Sequence, residues 1–202
     1  FLGFLPKKDK ALRALLIARA QIVSQITTLK NCVRGILKVF GRVLPKKLRA
    51  TFITSVRETI DGNATLEPIL DPMLRTLAAT MEQLQVYDRA AIRHARDDTT
   101  ARHLMTAPGV GTIVVLGYMT GIETPARFSR STSVGAYFGM TPKRYQSGEV
   151  DKAGRVSKCG DGMVRGLLFE AAKVLLSRSA KPSDLQAWGR ALAKRIGSKK
   201  AT

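Results

Sequence analysis

Acidic residues are scarce in this chain: 15 Asp and Glu stand against 34 Lys and Arg in 202 residues, a formal charge of +19. That imbalance points to a polyanionic partner, because neutralising phosphates releases their condensed counterions. Nucleic acid is the partner it predicts, and DNA comes first. Aromatic residues are also few, at 6%, which argues against the stacking platforms that bind single strands. There are two cysteines, Cys32 and Cys159. They lie far apart, with no CxxC spacing and no His companion, which argues against both a disulfide framework and a structural zinc and suits a reducing, cytoplasmic compartment. No apolar run approaches the roughly 20 residues that a bilayer span requires. The mixed charge of the helical segments argues against an interfacial role, so no membrane partner is expected. Phe1–Leu5 lacks the length and basic leading region of a signal peptide.

Helical periodicity fills the first half of the chain. Between Asp9 and Phe40, Leu15, Ile22, Leu29 and Ile36 recur every seven residues, interleaved with Arg19, Ile26, Val33 and Phe40. Alternating steps of four and three are coiled-coil spacing, with Arg19 the one polar residue on the stripe. Gly41 and Pro45 end the segment. A shorter amphipathic segment over 46–60 closes at Asp61-Gly62-Asn63, a turn triplet. A second long helix is predicted over 67–97, striped by Leu70, Leu74, Leu77, Met81, Leu84, Asp88 and Ala91. Together these read as an antiparallel helical hairpin, closed within the chain or shared with a second copy in a dimer or tetramer. Asp97-Asp98 reads as a helix-end feature rather than a metal corner, since no other acid clusters there.

The stretch 106–165 carries the chemistry. Pro108, Gly109 and Gly111 interrupt two helical segments in the manner of a helix–hairpin–helix, with Thr112 expected to cap the second. Free amides and a helix N-terminus at such a turn suit a DNA phosphate. Arg127 and Arg130 follow in a loop, then a short helix carries Tyr137 and Phe138, expected in the core. Thr141 to Arg165 reads as a basic loop in which Lys143, Arg144, Lys152, Arg155, Lys158 and Arg165 surround Ser147-Gly148. A Ser-Gly pair is on residue chemistry usually just a turn. His94 and His103 both precede the block, so a Ser-His-Asp hydrolase site is unpersuasive. The cations favour a different use, since a serine attacking a phosphodiester needs positive charge on the phosphate oxygens. Val164, Leu167, Leu168, Ala171, Val174 and Leu175 stripe a closing helix, and a basic tail holds Trp188.

APGVGTIVVLGYMTGIETPARF, SVGAYFGMTPKRYQSGEVDKAGRVSKCGD and VRGLLFEAA resemble the C-terminal transposase domain of bacterial insertion-sequence transposases of the one-hundred-ten group, the DEDD or bridge-RNA-guided recombinases. RYQSGEVDKAGRVSKCGD is similar to the one-one-one-one subgroup, and the helical stretch ahead of it to that family's coiled coil. The resemblance implies a serine that joins covalently to DNA, and its motif falls on Ser147; Ser131, Ser133 and Ser157 are the competing choices. It implies a nucleoid-associated DNA recombinase with a guide RNA, and Mg²⁺ held by a RuvC-like domain expected before Phe1, with no cofactor in this chain itself. Arg144, Arg155 and Lys158 would steady the phosphate, and this chain alone is expected to be inactive.

The expected fold is all-α: a helical hairpin over 1–98, a compact transposase domain over 99–181 and a basic tail over 182–202. The alternatives are a non-catalytic helix–hairpin–helix module that binds nucleic acid, and a structural protein whose working part is the coiled coil.

Overall fold

The structure, a computed structural model, describes residues 7–45, 51–147, 150–177 and 182–198. Among them are helices α1 (Lys7–Val39), α2 (Phe52–Ile60), α3 (Leu66–Asp97), α4 (Thr99–Leu104), α5 (Thr112–Ile122), α6 (Ser131–Tyr137), α7 (Gly162–Ser177) and α8 (Asp184–Ile196). A 3-10 turn covers Pro125–Arg127, and strands β1 (Pro142–Ser147) and β2 (Val150–Val156) form a two-stranded antiparallel sheet. The mainly helical class is as expected. The stretch read as a basic loop is a β-hairpin instead. Residues 46–50, which open the predicted short amphipathic segment, lie outside the described residues. No described helix is long and apolar enough to cross a membrane. The chain divides into two compact units, one of Ala14–Ala90 and the other of Phe1–Arg13 with Ala91–Thr202.

In the Ala14–Ala90 unit the heptad stripes meet. Ile26, Val33 and Leu37 of α1 share a buried cluster with Leu66, Leu70, Leu74 and Leu77 of α3 and with Phe52, Val56 and Ile60 of α2; Ile22, Leu29 and Ile36 flank it. Arg19 meets Asp88 at 2.6 Å. The two polar interruptions of the two stripes thus face each other, and the early end of α1 lies beside the late end of α3. In so exposed a setting the pair contributes at most about 1 kcal/mol. A slip of one turn would strand each charge against apolar neighbours, so the pair specifies register more than stability. Phe40 is the correction to the stripe. It is 46% exposed, because α1 stops at Val39 and the chain has turned before it. At the bend, Arg34 donates to the carbonyls of Leu44 and Pro45, and its guanidinium lies 5.3 Å from the Phe52 ring centre. Asn63 closes the predicted turn by accepting the amides of Thr65 and Leu66, which starts α3.

The other unit is built on α5 and α7. Gly117 and Gly121 of α5 let the helices come close: a Cβ on Gly117 would strike Leu167, and one on Gly121 would lie 2.7 Å from Val164. Phe138, fully buried, fills the space beside Ile122 and Val164, as expected for a core residue. Tyr137 is half-buried at the edge of that cluster. Thr120 is buried within α5 and turns its hydroxyl onto the carbonyls of Leu116 and Gly117, which removes the cost of an unpaired buried group. Asp98 caps α4 by accepting the Ala101 amide, the helix-end role read from the sequence. The tail forms α8, capped by Ser183 and tied to α7 through Gln186, which donates to the Leu175 carbonyl.

Asp161 has two tasks at the start of α7. One carboxylate oxygen accepts the Met163 and Val164 amides; the other pairs with Arg13 Nη2, while the buried Arg13 Nη1 has no hydrogen-bond partner among the described residues. Asp161→Asn keeps a good capping side chain but removes the charge. It should cost about 1–2 kcal/mol, whereas Asp161→Ala, which loses both, should cost about 2–3 kcal/mol. Urea unfolding of the two variants measures the difference.

Candidate nucleic-acid interface

The hairpin is rooted firmly and then leaves the core. At its root the Ser157 amide donates to the Thr141 carbonyl and the Lys158 amide to Gly139, both at 2.9 Å. Arg165, reaching from α7, donates through Nη1 to the carbonyls of Phe138 at 3.0 Å and Gly160 at 2.6 Å. This half-buried arginine therefore braces the root, a task its sequence position did not suggest. Lys158 holds φ +57, a conformation rare for a side-chain-bearing residue. Gly139, at φ +66, and Gly160 abut across the same root.

Beyond the root none of the described residues covers β1, every residue of which is exposed. Strand pairing decides which side chains share a face. Tyr145 pairs with Lys152, Gln146 with Asp151 and Ser147 with Val150; the register shifts between Pro142 and Arg144. Side chains alternate along a strand, so Lys143, Tyr145, Ser147 and Lys152 occupy one face. Arg144, Gln146 and Asp151 occupy the other, where Arg144 meets Asp151 at 3.2 Å. Tyr145 lies over Gly154, where a Cβ would come within 2.7 Å of its ring, and is still 61% exposed. The expected grouping of Arg144 with Ser147 is thus corrected by the pleat: the cation diagonal to Ser147 on its own face is Lys152. Arg155 and Lys158 are exposed further toward the root.

The competing serines are placed differently. Ser133 donates its hydroxyl to the Arg130 carbonyl at 2.5 Å, Ser131 opens α6, and Ser157 is half-buried at the root. Ser147 is the one carried on the arm. Arg127 pairs with Glu123 at 3.6 Å and stacks 4.7 Å from the Tyr137 ring centre, while Arg130 is exposed beside it. At the glycine turn, Gly111 occupies the N-cap position of α5 and Thr112 follows as its first residue. The Thr112 hydroxyl points to the Met105 sulfur at 3.8 Å, so the expected Thr112 cap is not made. Gly109 has φ +85, and a Cβ there would lie 2.6 Å from the Ala171 carbonyl oxygen, which fits this turn closely against α7. Gly111 stays exposed.

Residues 101–187, from α4 into α8 and including the whole hairpin, match the Transposase IS116/IS110/IS902 family model. The chain is 25% identical over 199 residues to the transposase for insertion sequence element IS1111A of Coxiella burnetii, covering 96% of this chain and 55% of that protein. It is 29% identical over 174 residues to the transposase for insertion sequence element IS1328 of Yersinia enterocolitica, covering 84% and 51% respectively. Over residues 101–187 the chain is similar to the IS116/IS110/IS902 transposase family, and over most of its length to these two transposases. It spans about half the length of the curated relatives it matches.

Within the matched stretch and the helix that closes it, one basic feature escaped the sequence reading. Lys173 of α7 and Arg190 and Lys194 of α8 line an open cleft of about 410 Å³. The four-residue spacing of Arg190 and Lys194 is the available signal, within a stretch whose sequence reads as a basic tail. The described residues bring together no group of three or more His, Cys, Asp and Glu able to hold a metal ion.

Proposed function

We propose that this chain is the DNA-contacting and nucleophile-bearing part of a transposase. Ser147 Oγ attacks a backbone phosphorus and forms a phosphoserine ester. The bond from phosphorus to one deoxyribose oxygen breaks, and that oxygen takes up a proton as the hydroxyl proton is lost. The exchange of one phosphate ester for another conserves the bond energy needed for rejoining, so no outside energy source is required. Lys152 and Lys143, on the same face as Ser147, neutralise the phosphate oxygens, and Arg155 and Lys158 guide the duplex toward the root.

The observation that carries this reading is an uncovered cationic arm that bears Ser147 within the family-matched stretch. The glycine turn, with Gly109, Gly111 and Thr112, together with Arg127 and Arg130, serves as a further backbone contact. A RuvC-like domain outside this chain supplies Mg²⁺, and a guide RNA selects the sites. Copies associate through the helical hairpin, where Ile17 and Val86 remain about half exposed after the intramolecular core is formed.

The test is covalent trapping on element-end DNA with Mg²⁺ and co-expressed RNA. It compares this chain with a version extended to the length of its relatives. An adduct in the extended protein that disappears in Ser147→Ala supports the reading. An adduct that survives Ser147→Ala overturns it, and DNA binding with no adduct under any condition favours a non-catalytic binding module.

A further inference from the structure

We propose that the Arg144, Gln146 and Asp151 face of the hairpin reads base edges in the major groove of duplex DNA, so that the protein itself imposes a sequence preference at the strand it cuts. The inference rests on the preceding assignment of DNA as the substrate of this arm.

The two faces differ in chemistry, and strand alternation keeps them apart. Lys143, Lys152, Tyr145 and Ser147 offer ammonium and hydroxyl groups, which suit phosphate oxygens and carry no sequence information. Arg144, Gln146 and Asp151 are the opposite kind. A guanidinium matches the O6 and N7 acceptors of guanine, a carboxamide matches N6 and N7 of adenine, and a carboxylate accepts from N4 of cytosine. Gln146 and Asp151 are direct cross-strand partners, so on an antiparallel ladder their Cβ atoms stand roughly 5 Å apart. Arg144 is held against Asp151 at 3.2 Å while its side chain stays 71% exposed. One carboxylate thus orients the guanidinium without hiding it, as a reading head requires.

The scaffold has the right dimensions. A two-stranded ribbon enters the roughly 12 Å major groove of B-form DNA, whereas the deep, narrow major groove of A-form RNA does not admit side chains in this way. The base face therefore selects duplex DNA over duplex RNA. An isolated hairpin in water is at best marginal. This one is held at its root by Arg165 and by the Ser157 and Lys158 amides, which leaves both faces open for a ligand.

The experiment selects bound duplexes from a randomised DNA library with the 202-residue chain and sequences them, alongside affinity for one scrambled duplex at several salt concentrations. Wild type should enrich a short motif. Gln146→Ala and Arg144→Ala should each flatten about one position of it, with discrimination there falling roughly tenfold. Affinity for the scrambled duplex should stay within about twofold for Gln146→Ala. Lys143→Ala should instead weaken binding to all sequences alike and reduce the salt slope by about 0.9. Filling the major groove with glucosylated hydroxymethylcytosine should abolish the preference. A flat wild-type selection, or a preference that both alanine variants leave unchanged, overturns the inference. If the Ser147 adduct still forms in that case, only the base-reading assignment has failed. Absence of duplex binding altogether fails the substrate assignment beneath it.

Discussion

Ser147→Ala in the extended protein is expected to remove the covalent protein–DNA species, with strand transfer falling by at least about 10³-fold, the scale on which loss of a nucleophile acts. Fold and DNA affinity should be untouched. Ser147 is exposed on the arm, so removing its hydroxyl creates no cavity and leaves no buried group unpaired. A surface change of this kind lies within about 0.5 kcal/mol. The cations that hold the duplex stay in place, so a retardation assay on element-end DNA should give the same affinity within about twofold. That separation distinguishes a nucleophile from a structural serine. Ser157→Ala makes the comparison sharper, because Ser157 is half-buried at the hairpin root; it should leave the adduct in place.

Gly160→Ala should have the largest effect on stability. A Cβ at that position would collide with the Tyr137 carbonyl oxygen and sit 2.5 Å from the Phe138 Cα. Both obstacles are backbone, so no rotamer change relieves them. The chain around Phe138 would have to move, and Phe138 is fully buried against Ile122 and Val164. Overpacking of this kind costs about 3 kcal/mol or more. Gly139→Ala adds a left-handed φ of +66 to a Cβ 2.5 Å from the Cys159 amide, and a similar loss is expected. Denaturant unfolding should detect both, as a lowered midpoint for the unit that carries the hairpin. Because Arg165 donates to the Phe138 and Gly160 carbonyls, displacing this root also misaims the arm. DNA binding should therefore fall in these variants even at temperatures where they stay folded.

Much of this could be read directly from the residues. The helical stripes are local patterns, and a helix forms where its apolar face repeats at the helical period. The stripes of α1 and α3, the turn at Asp61-Gly62-Asn63 and the burial of Phe138 all follow from sequence spacing. The net charge of +19 pointed to a polyanionic class of partner, since a summed charge requires no knowledge of the fold. The 142–156 stretch was misread because its signal is weak. PKRYQS and VDKAGRV contain no alternation of apolar and polar residues, and neither face of the strand that is fully described is buried. The cue for a strand is burial of one face, and an arm that buries neither face does not supply it.

Net charge, the helical hairpin and the likeness of residues 101–187 to a transposase family are properties of residues taken in order, and the sequence by itself determined them. Partnership across the fold was decided only by tertiary structure. Arg19 is an interruption in its stripe until α3 brings Asp88 to it. Arg165 is one more cation in a basic run until the hairpin root offers it two carbonyl oxygens. Arg144 and Ser147 are three residues apart and look like one cluster, but an odd spacing on a pleated strand sends their side chains to opposite faces. Which cation stands beside the serine is therefore set by the cross-strand register, a long-range pairing that no local pattern encodes.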